Sequence, residues 1–181
     1  MKHTLTALLQ DRPGALNRTV SLFRRRGFNI ESLSVAPSET PGLSRVTIVV
    51  DEPNIDRVVK QFTRLIEVVD VSETVSHHAV ERETALVKVQ PRGVSAAELT
   101  TLSAAAGARV VDANEAAMIF EITDTPDTVA TFVHGMRELG LVAATRTGRV
   151  VMPRGAVPLS IPTTPVPFTS QADGASDDVA A

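Results

Sequence analysis

The sequence predicts an α+β protein of two tandem ferredoxin-like βαββαβ units, followed by a disordered C-terminal tail. Three observations carry this. Runs rich in β-branched residues alternate with apolar stripes of helical period, in the order strand, helix, strand, strand, helix, strand. That order occurs twice, over 1–77 and over 82–152, which is the split βαβ grammar used in tandem. From Pro153 to Ala181 the periodicity stops, and five of the eleven prolines fall among Ser, Thr, Ala, Gly and Asp. Such a composition buries too little apolar surface to offset chain entropy, so 153–181 reads as a tail.

In the first unit, Thr4 to Leu9 reads as a strand with Leu5, Ala7 and Leu9 on one face. Asp11-Arg12-Pro13-Gly14 punctuates it. A helix then carries Leu16, Val20 and Phe23 at i, i+4 and i+7. It closes on Arg24-Arg25-Arg26, where positive charge complements the negative end of the dipole, and stops at Gly27. Phe28 to Ala36 is extended, Pro37 to Gly42 turns, and Leu43 to Val50 is a β-branched strand. A second helix starts near Pro53, with a stripe of Ile55, Val58, Val59, Phe62, Leu65 and Ile66. Val68 to Val75 is the fourth strand. The segment Phe28 to Ala36 is expected at a sheet edge, where its unpaired backbone needs a cover.

The second unit repeats the pattern. Thr84 to Gln90 is a strand. Ser95-Ala96-Ala97-Glu98 is a capping box that opens a helix to about Ala106. Gly107 to Ala113 and Ala117 to Thr123 form a hairpin around Asn114-Glu115. Asp124-Thr125-Pro126 caps a helix containing Val129, Phe132, Val133 and Met136, with Pro126 in its first turn. Gly140 breaks it, and Leu141 to Met152 returns as one strand. The boundary between the units falls near His77 to Arg82, with His77-His78 as a solvated linker pair.

Composition narrows the function. The 181 residues carry a net charge of −3, so no global field draws the chain to nucleic acid or an anionic membrane. Aromatics are 3%, with no Trp or Tyr, which disfavours a base-stacking platform. The absence of Cys removes thiol nucleophiles, disulfides and thiolate metal sites, and fits the cytoplasm. No apolar stretch approaches the roughly 18 residues of a membrane span. His3, His77, His78 and His134 show no metal spacing, and there is no P-loop, dinucleotide fingerprint or nucleophile elbow. No catalytic residue and no metal ligand is assigned.

One segment does carry chemistry. At Leu9 to Leu16 a strand ends, the chain turns at Pro13-Gly14 and a helix begins at once. The first amides of that helix lack intrahelical partners and, with the dipole, form an anion site. Gly14 has no side chain, so a carboxylate can approach closely. The Asp11 carboxylate beside it can pair with an ammonium group, so an α-amino acid suits both features. A plain strand-to-helix turn with Asp11 as a cap is the simpler alternative.

Asp11-Arg12-Pro13-Gly14, followed by a helix and a strand opening with Phe28-Asn29-Ile30, resembles the ACT domain, a ligand-binding module of amino-acid metabolism. The longer run from Arg26 to Pro37, with Leu43 to Ile48, closely resembles the small regulatory subunit of acetolactate synthase. Glu81-Arg82-Glu83 with Leu86 to Val89 resembles the start of that family's C-terminal domain. The resemblance covers 2–152. It implies a subunit without catalysis of its own that binds and activates a larger, thiamine-diphosphate-dependent catalytic subunit. It also implies feedback inhibition by valine or a related branched-chain amino acid, within valine, leucine and isoleucine biosynthesis. Thiamine diphosphate, Mg²⁺ and FAD are then expected on the catalytic partner, and no cofactor on this chain. The family's effector sites lie where two ACT domains pair side by side, which implies a homodimer. Carried over by motif, the helix-start amides of Gly14, Ala15 and Leu16 hold the effector carboxylate, with Asp11 beside them and Asn29 and Ile30 approaching from the partner domain. Many members have Asn where this chain has Asp11, which bears on the effector's identity and affinity. A free-standing ACT-type sensor that regulates transcription or another enzyme is the alternative, and the Glu81 to Val89 match argues against it.

Overall fold

A computed structural model of the chain describes residues 2–74 and 78–155. The expected linker residue His77 and the tail residues 156–181 lie outside the described residues. The first unit contains β1 (Lys2–Gln10), α1 (Ala15–Arg26), β2 (Asn29–Pro37), β3 (Leu43–Asp51), α2 (Ile55–Phe62) and β4 (Val68–Thr74). The second contains β5 (Ala79–Val89), α3 (Ala96–Ala105), β6 (Arg109–Ala113), β7 (Met118–Asp124), α4 (Pro126–Gly135), β8 (Leu141–Arg146) and β9 (Val150–Pro153).

The two sheets share one topology. The first has the order β2-β3-β1-β4, and the second β6-β7-β5-β8. All pairings are antiparallel, so β1 and β2 run parallel with β3 between them. This is the split βαβ arrangement twice over, as expected, and it leaves β2 at an edge.

The first core lies between its sheet and its helices, around Leu5, Ala7, Leu9, Val46, Ile48 and Val50. Phe23 stands edge-on to Phe28 and Phe62, with ring centroids 5.8 Å and 5.3 Å away. The strand reading of Leu5, Ala7 and Leu9 holds. The stripe read for α1 needs correction: its inward residues are Ala15, Thr19, Leu22 and Phe23, while Leu16 and Val20 are 40% and 38% exposed. The physical reason lies in Thr19. Its hydroxyl donates to the Ala15 carbonyl oxygen at 3.1 Å, which satisfies the group inside the helix and lets a polar residue face the core.

The helix α2 is also shorter than its apolar stripe suggests. It stops at Phe62, the chain turns through Thr63 to Glu67, and Ile66 is left 85% exposed. The turn is required by β4, whose pairing with β1 begins at Val68 opposite Leu9. Leu65 still packs against the core from the turn.

In the second unit the capping box is present. The Glu98 N–H donates to Ser95 Oγ at 3.2 Å, and the Ser95 N–H donates to Glu98 Oε2 at 2.8 Å. The β6–β7 hairpin turns on Asn114, whose Oδ1 accepts from the amides of Ala116 and Ala117. Thr125 caps α4 and Pro126 opens it. Three expectations change. The strand β5 begins at Ala79, before Thr84, because its first four residues pair with β9. The single strand expected over Leu141 to Met152 is two strands, broken at Gly148, which adopts φ 77°. β8 pairs with Ala85 to Val89, and β9 with Ala79 to Arg82, so one long strand serves two partners in succession. Pro153, expected in the tail, ends β9.

The two units approach one another at this break. A Cβ added to Gly148 would sit 3.3 Å from Ser32 Cβ of β2. A cleft of about 470 Å³ opens there, lined from one side by Glu31, Ser32 and Leu33 and from the other by Arg146 and Arg149. Among the described residues no helix is long and apolar enough to cross a membrane.

The Phe23→Ala variant removes a fully buried ring that contacts both Phe28 and Phe62. The expected cost is about 3–5 kcal/mol of stability. Urea unfolding followed by circular dichroism should show the first unit losing structure at lower denaturant, and an unchanged midpoint would remove Phe23 from the centre of the core.

Candidate functional site

The turn from β1 into α1 is built from backbone first. The Asp11 N–H donates to the Gly42 carbonyl oxygen at 2.8 Å, and the Arg12 N–H to that of Gln10 at 2.9 Å. Gly14 then occupies the N-cap position at φ 85°, a left-handed conformation that an L-residue adopts only with strain. No side chain caps the helix, and no acidic residue lies in its first turn. The other three helices differ, being capped by Asn54, Ser95 and Thr125 with an acid in each first turn.

The expected site residues fall into two groups. Asp11, Gly14, Ala15 and Leu16 lie together at this turn. Asp11 is exposed, and its carboxylate makes no hydrogen bond or ion pair among the described residues, so it is not the helix cap. Ala15 is buried, and its amide donates to the Arg12 carbonyl oxygen at 3.1 Å, so this donor is already engaged within the turn. The Leu16 amide is a first-turn donor for which the helix supplies no acceptor, and its side chain is half exposed.

Asn29 and Ile30 lie elsewhere. Asn29 is opposite Asp51, at the end of the sheet where β1 begins at Lys2, whereas Gly14 follows the other end of β1. Nine-residue strands separate the two groups by about 25–30 Å. Within one chain the fold does not bring them together. The Asn29 residue is exposed, while Ile30 packs against the first core.

Two further groups stand at the turn. The Arg18 guanidinium lies over Gly14: a Cβ there would be 3.0 Å from Nη1 and 3.6 Å from Cζ. Arg18 Nε pairs with Glu67 Oε1 at 2.5 Å. Glu67 is held at this place by its own backbone, whose carbonyl oxygen accepts from the Gln10 N–H at 2.8 Å. Its side chain is 7% exposed, and Oε2 is buried without a hydrogen-bond partner. No local sequence pattern links residues 18 and 67; only the junction of β1, α1 and β4 does.

Electrostatically the turn brings the positive end of α1 and the Glu67-paired guanidinium of Arg18 to the same spot. Elsewhere, the Arg24-Arg25-Arg26 run is an exposed last helical turn, as expected. Among the described residues no three His, Asp or Glu side chains form a metal-binding group.

Comparison with known proteins places this geometry in a family. Residues 5–70 match the model of the AHAS small subunit-like ACT domain, and residues 82–155 that of the small subunit of acetolactate synthase. A probable acetolactate synthase small subunit from Archaeoglobus fulgidus is 43% identical over 157 residues, spanning 86% of this chain and 98% of that protein. The acetolactate synthase isozyme 3 small subunit of Salmonella typhimurium is 36% identical, over 86% of this chain and 97% of its own. The crystal structure of the acetolactate synthase small subunit from Thermotoga maritima superposes with a TM-score of 0.79 at 35% identity, covering 87% of this chain and 99% of that one. Both units match, whereas a free-standing ACT-type sensor calls for the first alone. The chain belongs to the family of acetolactate synthase small subunits, the regulatory subunits of that complex, which carry no catalytic site of their own.

Proposed function

We propose that this chain raises the activity of a thiamine-diphosphate-dependent catalytic subunit in the cytoplasm and makes it sensitive to feedback inhibition by valine or a related branched-chain amino acid. Thiamine diphosphate, Mg²⁺ and FAD belong, in this reading, to the catalytic subunit. The observation that carries it is the uncapped start of α1 at Gly14, where first-turn amides and a guanidinium, donors for a carboxylate, stand at the same turn as the exposed Asp11 carboxylate, an acceptor for an ammonium group.

The site is completed by a second copy. β2 is an edge strand, and its outer backbone is unpaired by the sheet. A two-fold axis beside β2 pairs that strand with itself antiparallel, which is a closed, isologous contact. Antiparallel pairing reverses the ends, so Asn29 of the partner subunit arrives at the end of the sheet that carries Gly14. Leu16, Val20 and Val35, each about 40% exposed, supply apolar surface to the same side. The 25–30 Å separation within one chain is therefore bridged by symmetry rather than by bending the fold.

A charge on β2 tests the dimer. Val35→Glu places two like charges near the axis, and light scattering should show a monomer where the wild type is a dimer. A monomeric wild type at micromolar concentration would overturn the pairing.

Activation and inhibition are tested by mixing the purified chain with its catalytic subunit and titrating valine. The chain alone should form no acetolactate, the mixture should turn over faster than the catalytic subunit alone, and valine should reverse the gain. Gly14→Asp should abolish the inhibition and keep most of the activation. Its Cβ would meet Arg18 Nη1 at 3.0 Å, and its carboxylate would take the effector's place against the amides. Loss of one charge-assisted hydrogen bond costs about 1.5–3 kcal/mol, roughly a tenfold to hundredfold weaker effector. An unchanged inhibition midpoint would place the effector elsewhere.

A further inference from the structure

We propose that Arg18, positioned by the buried Glu67, is the side chain that reads the effector's carboxylate at the start of α1. This rests on the reading of the Gly14 turn as the effector site, and adds the group that makes the site selective for a carboxylate. A guanidinium at the positive end of a helix is electrostatically unfavourable on its own, because the dipole there favours anions and opposes cations. Arg18 nevertheless lies beside Gly14, with Nη1, Cζ and Nη2 at 3.0, 3.6 and 3.8 Å from the position a Cβ would take. No acid of the first turn and no capping side chain offsets it.

Glu67 supplies the hold. Its closest approach to Arg18 is Oε1 to Nε, while Nη1 is the guanidinium atom nearest the Gly14 turn. A two-pronged Arg–carboxylate pair would have satisfied both Glu67 oxygens, yet Oε2 is left buried and unpartnered. A carboxylate removed from water with half its acceptors unfilled is costly unless its placement serves something else. Here it fixes the guanidinium so that its remaining donors converge with the free helix amides on one point. A ligand carboxylate at that point meets donors from both and supplies the negative charge that the uncapped helix end lacks. An uncharged amide in the same place does not.

The test compares L-valine with L-valinamide, which keeps the ammonium and the side chain but lacks the carboxylate. Calorimetric titration uses the full-length wild-type dimer and the variants Arg18→Gln, Arg18→Lys, Glu67→Gln and Gly14→Asp, each checked for its thermal midpoint. The wild type should prefer valine by more than about tenfold. Arg18→Gln should weaken valine by about tenfold to hundredfold and leave valinamide within about twofold, collapsing the preference. Arg18→Lys should retain part of it, since a lysine keeps the charge and loses the planar fork. Glu67→Gln should narrow the preference at an unchanged thermal midpoint, which a merely structural role would not produce. If Glu67→Gln does not fold, the Arg18 pair decides alone. If Gly14→Asp abolishes valine binding while Arg18→Gln keeps the wild-type preference, the role of Arg18 is overturned and the site stands. If the wild type binds no branched-chain amino acid, or Gly14→Asp binds valine normally, the effector site itself is refuted and Arg18 falls with it.

Discussion

The left-handed backbone of Gly14 is the constraint on which the rest of the first unit turns. At φ 85° it reverses the chain after β1 and sets Ala15 as the first helical residue. That start decides the helix phase, and with it which residues face the core. Ala15, Thr19, Leu22 and Phe23 go inward, and Arg18 is rotated out over the turn that precedes it. A residue with a Cβ at position 14 would be strained in the backbone and would press on the guanidinium. The same glycine therefore sets the packing of Phe23 against Phe28 and Phe62 and keeps the helix start open.

The topology adds a second constraint. In a split βαβ unit the parallel strands β1 and β2 are separated by β3, and α1 runs back between their opposite ends. The start of α1 and the start of β2 must then lie at opposite ends of the sheet. A ligand site using both is impossible within one unit and natural across a two-fold axis at the β2 edge.

The second unit shows what the same fold does without that turn. Its helix starts are closed by their own side chains. Ser95 and Glu98 satisfy one another's amides at α3, and Thr125 with Pro126 and Asp127 closes α4. An anion brought to either end would compete with a carboxylate already there. The strand order is the same in both units, so the difference in chemistry comes from the first turn of each helix and not from the architecture. Arg146 in the second unit points its fork at buried Glu83, with contacts of 2.9 and 2.6 Å, and so is committed to structure.

Much of the fold was legible along the chain because its signals are local. The alternation in β1, the capping box at Ser95, the Asn114 hairpin and the stop at Gly27 each depend on neighbours within a few residues, and each stands in the structure. The Pro13-Gly14 turn and the amide donors behind it were legible for the same reason. The misread features involve partners distant in sequence or satisfied by hydrogen bonds that composition does not show. Thr19 counts as polar until its bond to Ala15 is seen, Leu65 and Ile66 continue a helical period that the pairing of β4 with β1 cuts short, and Leu141 to Met152 looks continuous until β5 is found to take β8 and β9 in turn. Glu67 gives no sign from its place in the chain that it will be buried beneath Arg18. By itself the sequence determined the order of elements, the two-unit plan and the open helix start, since propensity, turns and capping act over short range. The placement of Arg18, the burial of Glu67 and the separation of Asn29 from Gly14 were decided by tertiary structure alone, because strand pairing is what brings the end of β1, the start of α1 and the start of β4 to one point.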